Sequence, residues 1–244
     1  TLIADFFKKL DRQGPGSREV TLQALDFIAG LPHRPRVADI GCGTGGQTAV
    51  LASRLDGTIE AVDLLPELVE GLKERICREN LQEKIRPVLA SMDALPFKEG
   101  EFDLLWAEGS IYNIGYEKGL REWRKYLKPG GYIAVTECSW LSGERPGELG
   151  YFQANFPEID GISEKIRIMQ AAGYRPVAHF ALPETCWKDH YYAPMGNRIR
   201  DFLQEKRNSA AAQTFAGFMR DDIATYERYK KYFGYVFYIG RKTE

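Results

Sequence analysis

Between residues 36 and 140 the chain alternates short apolar runs with helical stretches, and nothing else in its 244 residues restricts the fold as much. The apolar runs are VADI (37–40), TIEAVDL (58–64), IRPVLA (85–90), EFDLLWAE (101–108) and YIAVTEC (132–138). Helical stretches lie between them at Gln47–Leu55, Pro66–Glu79 and Tyr116–Leu127. Pro66 sits where a helix tolerates proline best, at its first position. LKPGG (127–131) reads as a helix stop before the fifth strand. Strands buried on both faces and separated by helices predict right-handed crossovers and a doubly wound, mostly parallel α/β sheet. RPVAHFAL (175–182) and FGYVFYIGRK (233–242) supply two later strands, the last with no helix after it.

The flanks are less regular. Ile3, Phe6, Phe7 and Leu10 keep helical spacing, and the helix must stop at RQGPGS (12–17). Ser17 is a natural N-cap for a second helix carrying Val20, Ala24, Phe27, Ile28 and Leu31. A further helix is expected near Ser163–Ala172, stopped by Gly173, then an inserted helical region to about Tyr232. The length suits one domain: N-terminal helices over 1–34, a ligand-binding core over 35–140, and a lid with the final strands over 141–244.

What the sheet binds is written at the end of the first strand. In ADIGCGTGGQT (38–48), Gly41, Gly43 and Gly46 have the G-x-G-x-x-G spacing of a dinucleotide site, and Gly45 adds a fourth glycine. Bare backbone N–H groups at such a turn let a ligand approach closely. Asp39, two residues before the first glycine, would repel a pyrophosphate. It suits S-adenosylmethionine instead, whose methionine end carries an ammonium and a sulfonium and no phosphate. Asp63, at the end of the second strand, can accept both hydroxyls of a ribose, with Leu64 packing on an adenine face. SMDALPF (91–97) places Met92 as a soft contact and Asp93 as an acceptor for the exocyclic amine. Glu108 and Tyr112, in AEGSIYNI (107–114), project from the fourth strand end towards the methionine end and the substrate.

Taken together, DIGCGTG, VDL, SMDALPF and LKPGG resemble the class I S-adenosylmethionine-dependent methyltransferases over roughly residues 35–140, most closely the small-molecule branch of the ubiquinone/menaquinone-biosynthesis type. The resemblance implies a seven-stranded Rossmann-like sheet whose last strand is antiparallel. It implies that Asp39, Gly41 and Gly43 hold the methionine end, Asp63 the ribose and Asp93 the adenine. The implied reaction is methyl transfer to a small-molecule O, N or C nucleophile by direct displacement, leaving S-adenosylhomocysteine. A non-catalytic S-adenosylmethionine-binding regulatory module and a NAD-dependent oxidoreductase are the competing readings.

No motif marks the acceptor side. DHYYAP (189–194) offers His190 and Tyr191, which with Tyr112 are the candidate acid–base residues. Gly14, Tyr112, Trp140, Tyr151 and His190 are candidates for lining the substrate. The loop-rich 139–162 and the helices after 196 are expected to form a lid. Each of these aromatics, and His190, has an equally ordinary reading as core or structural.

Charge argues against a nucleic-acid partner: 33 lysines and arginines face 34 aspartates and glutamates, a formal charge of −1. Cys42, Cys77, Cys138 and Cys186 form no C-x-x-C pair, so neither a zinc site nor a disulfide framework is indicated and no metal is expected. Scattered thiols and the absence of a long apolar run suit a cytoplasmic protein without a membrane segment, as monomer or homodimer.

Overall fold

The computed structural model describes residues 1–149 and 156–244. At its centre are β1 (Arg36–Ile40), β2 (Thr58–Asp63), β3 (Ile85–Leu89), β4 (Phe102–Ala107), β5 (Leu127–Trp140), β7 (Tyr174–Ala181) and β8 (Phe233–Lys242). They lie side by side in the order β3-β2-β1-β4-β5-β8-β7, and the two-residue β6 (Asp160–Gly161) pairs with the end of β5. Neighbours from β3 through β5 run parallel, while β8 is antiparallel to both β5 and β7. This is a seven-stranded Rossmann-like sheet with its last strand reversed, as the resemblance implies.

Helices α1 (Leu2–Phe7), α2 (Arg18–Asp26), α3 (Gly46–Arg54), α4 (Pro66–Arg78), α5 (Tyr116–Trp123) and α6 (Ile162–Ala171) surround the sheet. The central strands are apolar along their whole length because both faces are covered. All six residues of β4 are buried; its Leu104 and Trp106 join Val37 of β1 in one core, and its Leu105 joins Ala38 of β1 and Ile133 of β5 in the other.

The C-terminal third supplies α7 (Ala193–Glu205) and α8 (Ala210–Tyr229). They meet α1 through Phe6, whose ring lies 5.2 Å from Phe202 and 5.3 Å from Phe215 in edge-on contacts. The N-terminal helix is thereby joined to the helices of the C-terminal third. A short helical stretch, Glu184–Trp187, passes through a π-helical segment, Lys188–Tyr192, into α7.

Three local expectations are corrected. LKPGG is not a stop outside the sheet: β5 begins at Leu127, and Gly130, at φ 72°, takes up a register shift opposite Phe102–Leu104. The third expected helix accordingly ends at Trp123, followed by a tight turn at Arg124–Tyr126. The helix capped by the Ser17 hydroxyl, which accepts from the Val20 N–H, stops at Asp26, leaving Phe27 exposed.

Candidate cofactor and substrate site

β1, β2, β3 and β4 all end at one edge, and the residues following them form the site. The turn after β1 is pinned at both ends. The N–H groups of Gly41 and Cys42 donate to Val62 O at 2.8 and 2.9 Å, and Gly43 N–H donates to Asp63 Oδ2 at 2.9 Å. Gly41 and Gly43 have φ of 79° and 56°, a region that L side chains rarely enter. A Cβ on Gly41 would stand 2.3 Å from that of Ser110, and one on Gly43 would stand 1.9 Å from Gln13 Oε1. The glycines are therefore required by the protein's own packing as well as by any ligand.

A cavity of about 510 Å³ opens in front of this turn, within the range of small-molecule sites. One end is bordered by Asp63, Leu64, Ala90, Met92 and Asp93, and the other by Phe7, Tyr112, Asn113, Ile114 and Tyr191. Asp63 accepts from Gly43 N–H and, at 2.9 Å, from Leu65 N–H, one bond on each oxygen. Each oxygen keeps an accepting lone pair, so the carboxylate is fixed in orientation without being used up. Burial raises its pKa. Leu64 is 62% exposed beside it. Asp93 faces the cavity while accepting from Lys118 Nζ at 2.6 Å, an exposed ion pair.

A second, smaller cavity of about 40 Å³ lies behind the turn. It is bordered by Arg12, Gly14, Gln47 and Glu108, and shares Gln13, Gly41 and Gly109 with the larger one. Glu108 accepts from Thr21 Oγ1 at 2.6 Å, Trp106 Nε1 at 2.9 Å and Arg12 Nη1 at 2.9 Å. The roof is the RQGPG turn. Gln13 Nε2 donates to the carbonyls of Phe7 and Leu10, and Gln13 Oε1 accepts from Thr44 N–H at 2.8 Å.

The structure brings Gly41, Gly43, Asp63, Leu64, Met92, Asp93, Tyr112 and Tyr191 to the larger cavity, and Gly14, Gly41 and Glu108 to the smaller one. Gly45 stands one step back as the cap of α3, at φ 81°. Asp39 is corrected from a residue at the mouth of the turn to one wholly beneath it. Its carboxylate accepts from Thr48 Oγ1 at 2.6 Å and Gln47 Nε2 at 3.4 Å, and burial pushes its pKa up to about 7. It reaches the small cavity only through Gln47.

His190 is exposed and borders neither cavity, because the π-helical segment turns Tyr191 inward and His190 outward. Trp140 is buried in the core under the Arg145 guanidinium, 4.4 Å from its ring, and is no part of the site. Tyr151 lies outside the described residues. Of the expected lid, Phe156 places its ring 5.5 Å from that of Tyr112, and the described wall is otherwise α1 and Tyr191. Arg12, Gln13, Gln47 and Ser110 were not marked as site residues. Only the breaker cluster 12–17 could have drawn attention to the first two. Loss of hydration raises the phenols of Tyr112 and Tyr191 above the ordinary tyrosine value, so both stand as neutral donors. Among the described residues there is no cluster of three His, Cys, Asp or Glu able to hold a metal, and no helix long and apolar enough to cross a membrane.

Residues 37–131 match the family described as a methyltransferase domain. The chain is 30% identical over 129 residues to the methyltransferase GfsG of Streptomyces halstedii, covering 52% of this chain and 45% of that protein. It is 31% identical over 113 residues to the ubiquinone/menaquinone biosynthesis C-methyltransferase UbiE of a Geobacter strain, covering 45% of this chain and 48% of that protein. The chain thus spans about half the length of the curated relatives it matches. Its fold is shared almost end to end with an S-adenosylmethionine-dependent methyltransferase from Geobacter sulfurreducens, solved in complex with S-adenosyl-L-homocysteine. The TM-score is 0.86 at 14% identity, over 99% of this chain and 97% of that one. The resemblance read from DIGCGTG, VDL and SMDALPF therefore holds at the level of sequence and of fold.

Proposed function

We propose that this chain is a methyltransferase that uses S-adenosylmethionine and a small-molecule acceptor. One observation carries the reading: Asp63 is held by two backbone N–H groups with its remaining lone pairs facing a cavity, between the exposed Leu64 and the glycine turn. That arrangement fits a nucleoside whose ribose hydroxyls donate to the carboxylate and whose base lies on Leu64. Met92 and Asp93 extend the same wall towards the adenine edge.

The bound cofactor supplies an electrophilic methyl on sulfur, and the acceptor displaces it directly. The protein's share is alignment and exclusion of water. Phe7 and Tyr191 close the acceptor end, and the Tyr112 and Tyr191 hydroxyls are available to orient an acceptor by donating to it. Among the described residues bordering the cavity there is no lysine, arginine or histidine. This favours an acceptor that is neutral or cationic over an anionic one, and speaks against nucleic acid. We read the chain as one cytoplasmic domain, acting as monomer or homodimer, with 35–140 binding the cofactor.

Titration calorimetry with S-adenosylhomocysteine and with NAD tests the proposal. Binding of the first alone, abolished by Asp63→Ala in a protein that still folds, is the expected result. Binding of NAD instead overturns it. Cofactor binding without turnover of any acceptor in a broad panel would favour a regulatory module.

A further inference from the structure

Displacement at a sulfonium methyl asks the acceptor for an available lone pair. An alcohol, a phenol or an acidic carbon becomes a strong enough nucleophile only as its proton leaves, so its site needs a base within reach. The acceptor end of the larger cavity holds none among the described residues. Its wall there is Phe7, Tyr112, Asn113, Ile114 and Tyr191, while the carboxylates bordering the cavity, Asp63 and Asp93, stand at the other end. Burial raises both phenols above the ordinary tyrosine value, so neither acts as a base near neutral pH. Residues 150–155, which lie outside the described residues, read GYFQAN and contain no carboxylate, imidazole or amine side chain. What this end offers instead is ring surface and negative charge. The Tyr112 ring stands 5.5 Å from that of Phe156, and the Tyr191 ring 5.0 Å from that of Tyr192. Behind Tyr191, the Tyr192 hydroxyl is hydrogen-bonded to the carboxylate of Asp222 on α8. The charge of Asp222 acts on Tyr112, Tyr191 and Tyr192 together. Glu137 is met by Lys165 at 3.4 Å, but no cation among the described residues acts on Asp222. A half-buried carboxylate with no counter-charge favours a cation beside it.

We infer that the acceptor is an amine, its nitrogen seated against the rings of Tyr112 and Tyr191, with Asp222 in the wall behind them supplying the counter-charge. The inference rests on the function proposed above and names its substrate class. A protonated amine first gives a proton to solvent. The nitrogen lone pair then forms the N–C bond as the C–S bond breaks, the bonding pair stays on sulfur, and the positive charge passes from sulfur to nitrogen. Nothing else enters the balance. Charge therefore grows on nitrogen against two aromatic faces and in the field of a carboxylate, so both attractions are stronger in the transition state than for the free amine. Asp222 borders neither cavity and is a positioning residue, acting through the field it sets across the tyrosines.

The test uses two probes of one shape, choline and its neutral isostere 3,3-dimethylbutan-1-ol, in which a carbon replaces the nitrogen cation. Each is titrated by calorimetry into the full chain saturated with S-adenosylhomocysteine, for the wild type, Asp222→Asn and Tyr191→Leu. A merely apolar wall prefers the alcohol, which costs less to desolvate. The inference expects the wild type to prefer choline by about tenfold or more, the scale of a desolvated cation on aromatic faces, and expects each variant to lose most of that preference. The ratio of the two affinities is the readout, because a structural disturbance weakens both probes alike. Two results overturn the inference: a wild type that binds the alcohol as well as choline or better, which needs no variant to fold, or a preference that persists undiminished in either variant. Failure of the wild type to bind S-adenosylhomocysteine is a different result, since it removes the proposed function together with the inference.

Discussion

Asp39 is the residue whose burial has the largest calculable consequence. It has no exposed surface, and its partners are neutral: the Thr48 hydroxyl and the Gln47 amide. Burial moves its pKa from 3.8 to about 7, against the smaller opposing effect of the Thr48 hydrogen bond. In the unfolded chain the group ionises near 3.9. The folded state therefore binds a proton that the unfolded state has lost, between pH 4 and 7. Stability from this group is present in full below pH 4 and is lost as pH rises through 7. Each tenfold difference in proton affinity is worth about 1.4 kcal/mol, so the whole span is about 4 kcal/mol, of which roughly 3 kcal/mol falls between pH 5 and pH 8.5. Asp39→Asn keeps the shape, retains an acceptor for Gln47 and does not titrate. Its stability relative to wild type should thus improve by roughly 3 kcal/mol between those two pH values, whatever its offset at pH 5. Urea unfolding of both proteins at both pH values reads this directly. Parallel pH dependence in the two proteins would mean that Asp39 stays ionised when buried, and that the burial argument is wrong.

Two further perturbations probe the rest of the frame. Lys165 and Glu137 are 0% and 2% exposed, 3.4 Å apart, with the ammonium also 4.6 Å from the Tyr116 ring, and burial holds Glu137 at about 7. Lys165→Met leaves that carboxylate unpaired and should cost about 3–5 kcal/mol in urea unfolding at pH 8. The cost should be smaller at pH 5, where Glu137 is protonated in the fold. Gly43→Ala forces a Cβ against Gln13 Oε1 at φ 56° and should loosen the RQGPG roof. The expected outcome is about 1–2 kcal/mol of backbone strain and at least about tenfold weaker binding of S-adenosylhomocysteine, measured by thermal melting and calorimetry.

The sheet was legible because strands covered on both faces carry no polar alternation, so VADI and FDLLWA stand out as apolar blocks between helical stretches. The cavity wall made by Asp63, Leu64, Met92 and Asp93 was legible for a related reason: each lies at or soon after a strand end, and strand ends fix where side chains go. The opposite wall was not. His190 and Tyr191 are adjacent in sequence, and only the π-helical turn decides that one faces solvent and the other the cavity. Trp140 belongs to a loop when read locally, but β5 runs on to include it and turns it into the core. LKPGG failed similarly, since a bulge at Gly130 and a helix stop call on the same residues.

Arg12 shows where reading along the chain must stop. Its partner Glu108 lies 96 positions away, and no periodicity or spacing links a turn before the sheet to the end of the fourth strand. What joins them is a requirement of the fold. Trp106 and Glu108 leave β4 on the face that α2 covers, and a buried carboxylate there needs charged or hydrogen-bonding partners brought by whatever packs above it. Thr21 comes from α2 itself and Arg12 from the turn that leads into it. The same turn contributes Gln13, whose amide fills the space that Gly43 leaves free of a Cβ. Gly43 thus serves two neighbours, the cavity that it lines and the N-terminal turn packed against it. A substitution at Gly43 cannot separate those roles, because the turn that it displaces carries Arg12.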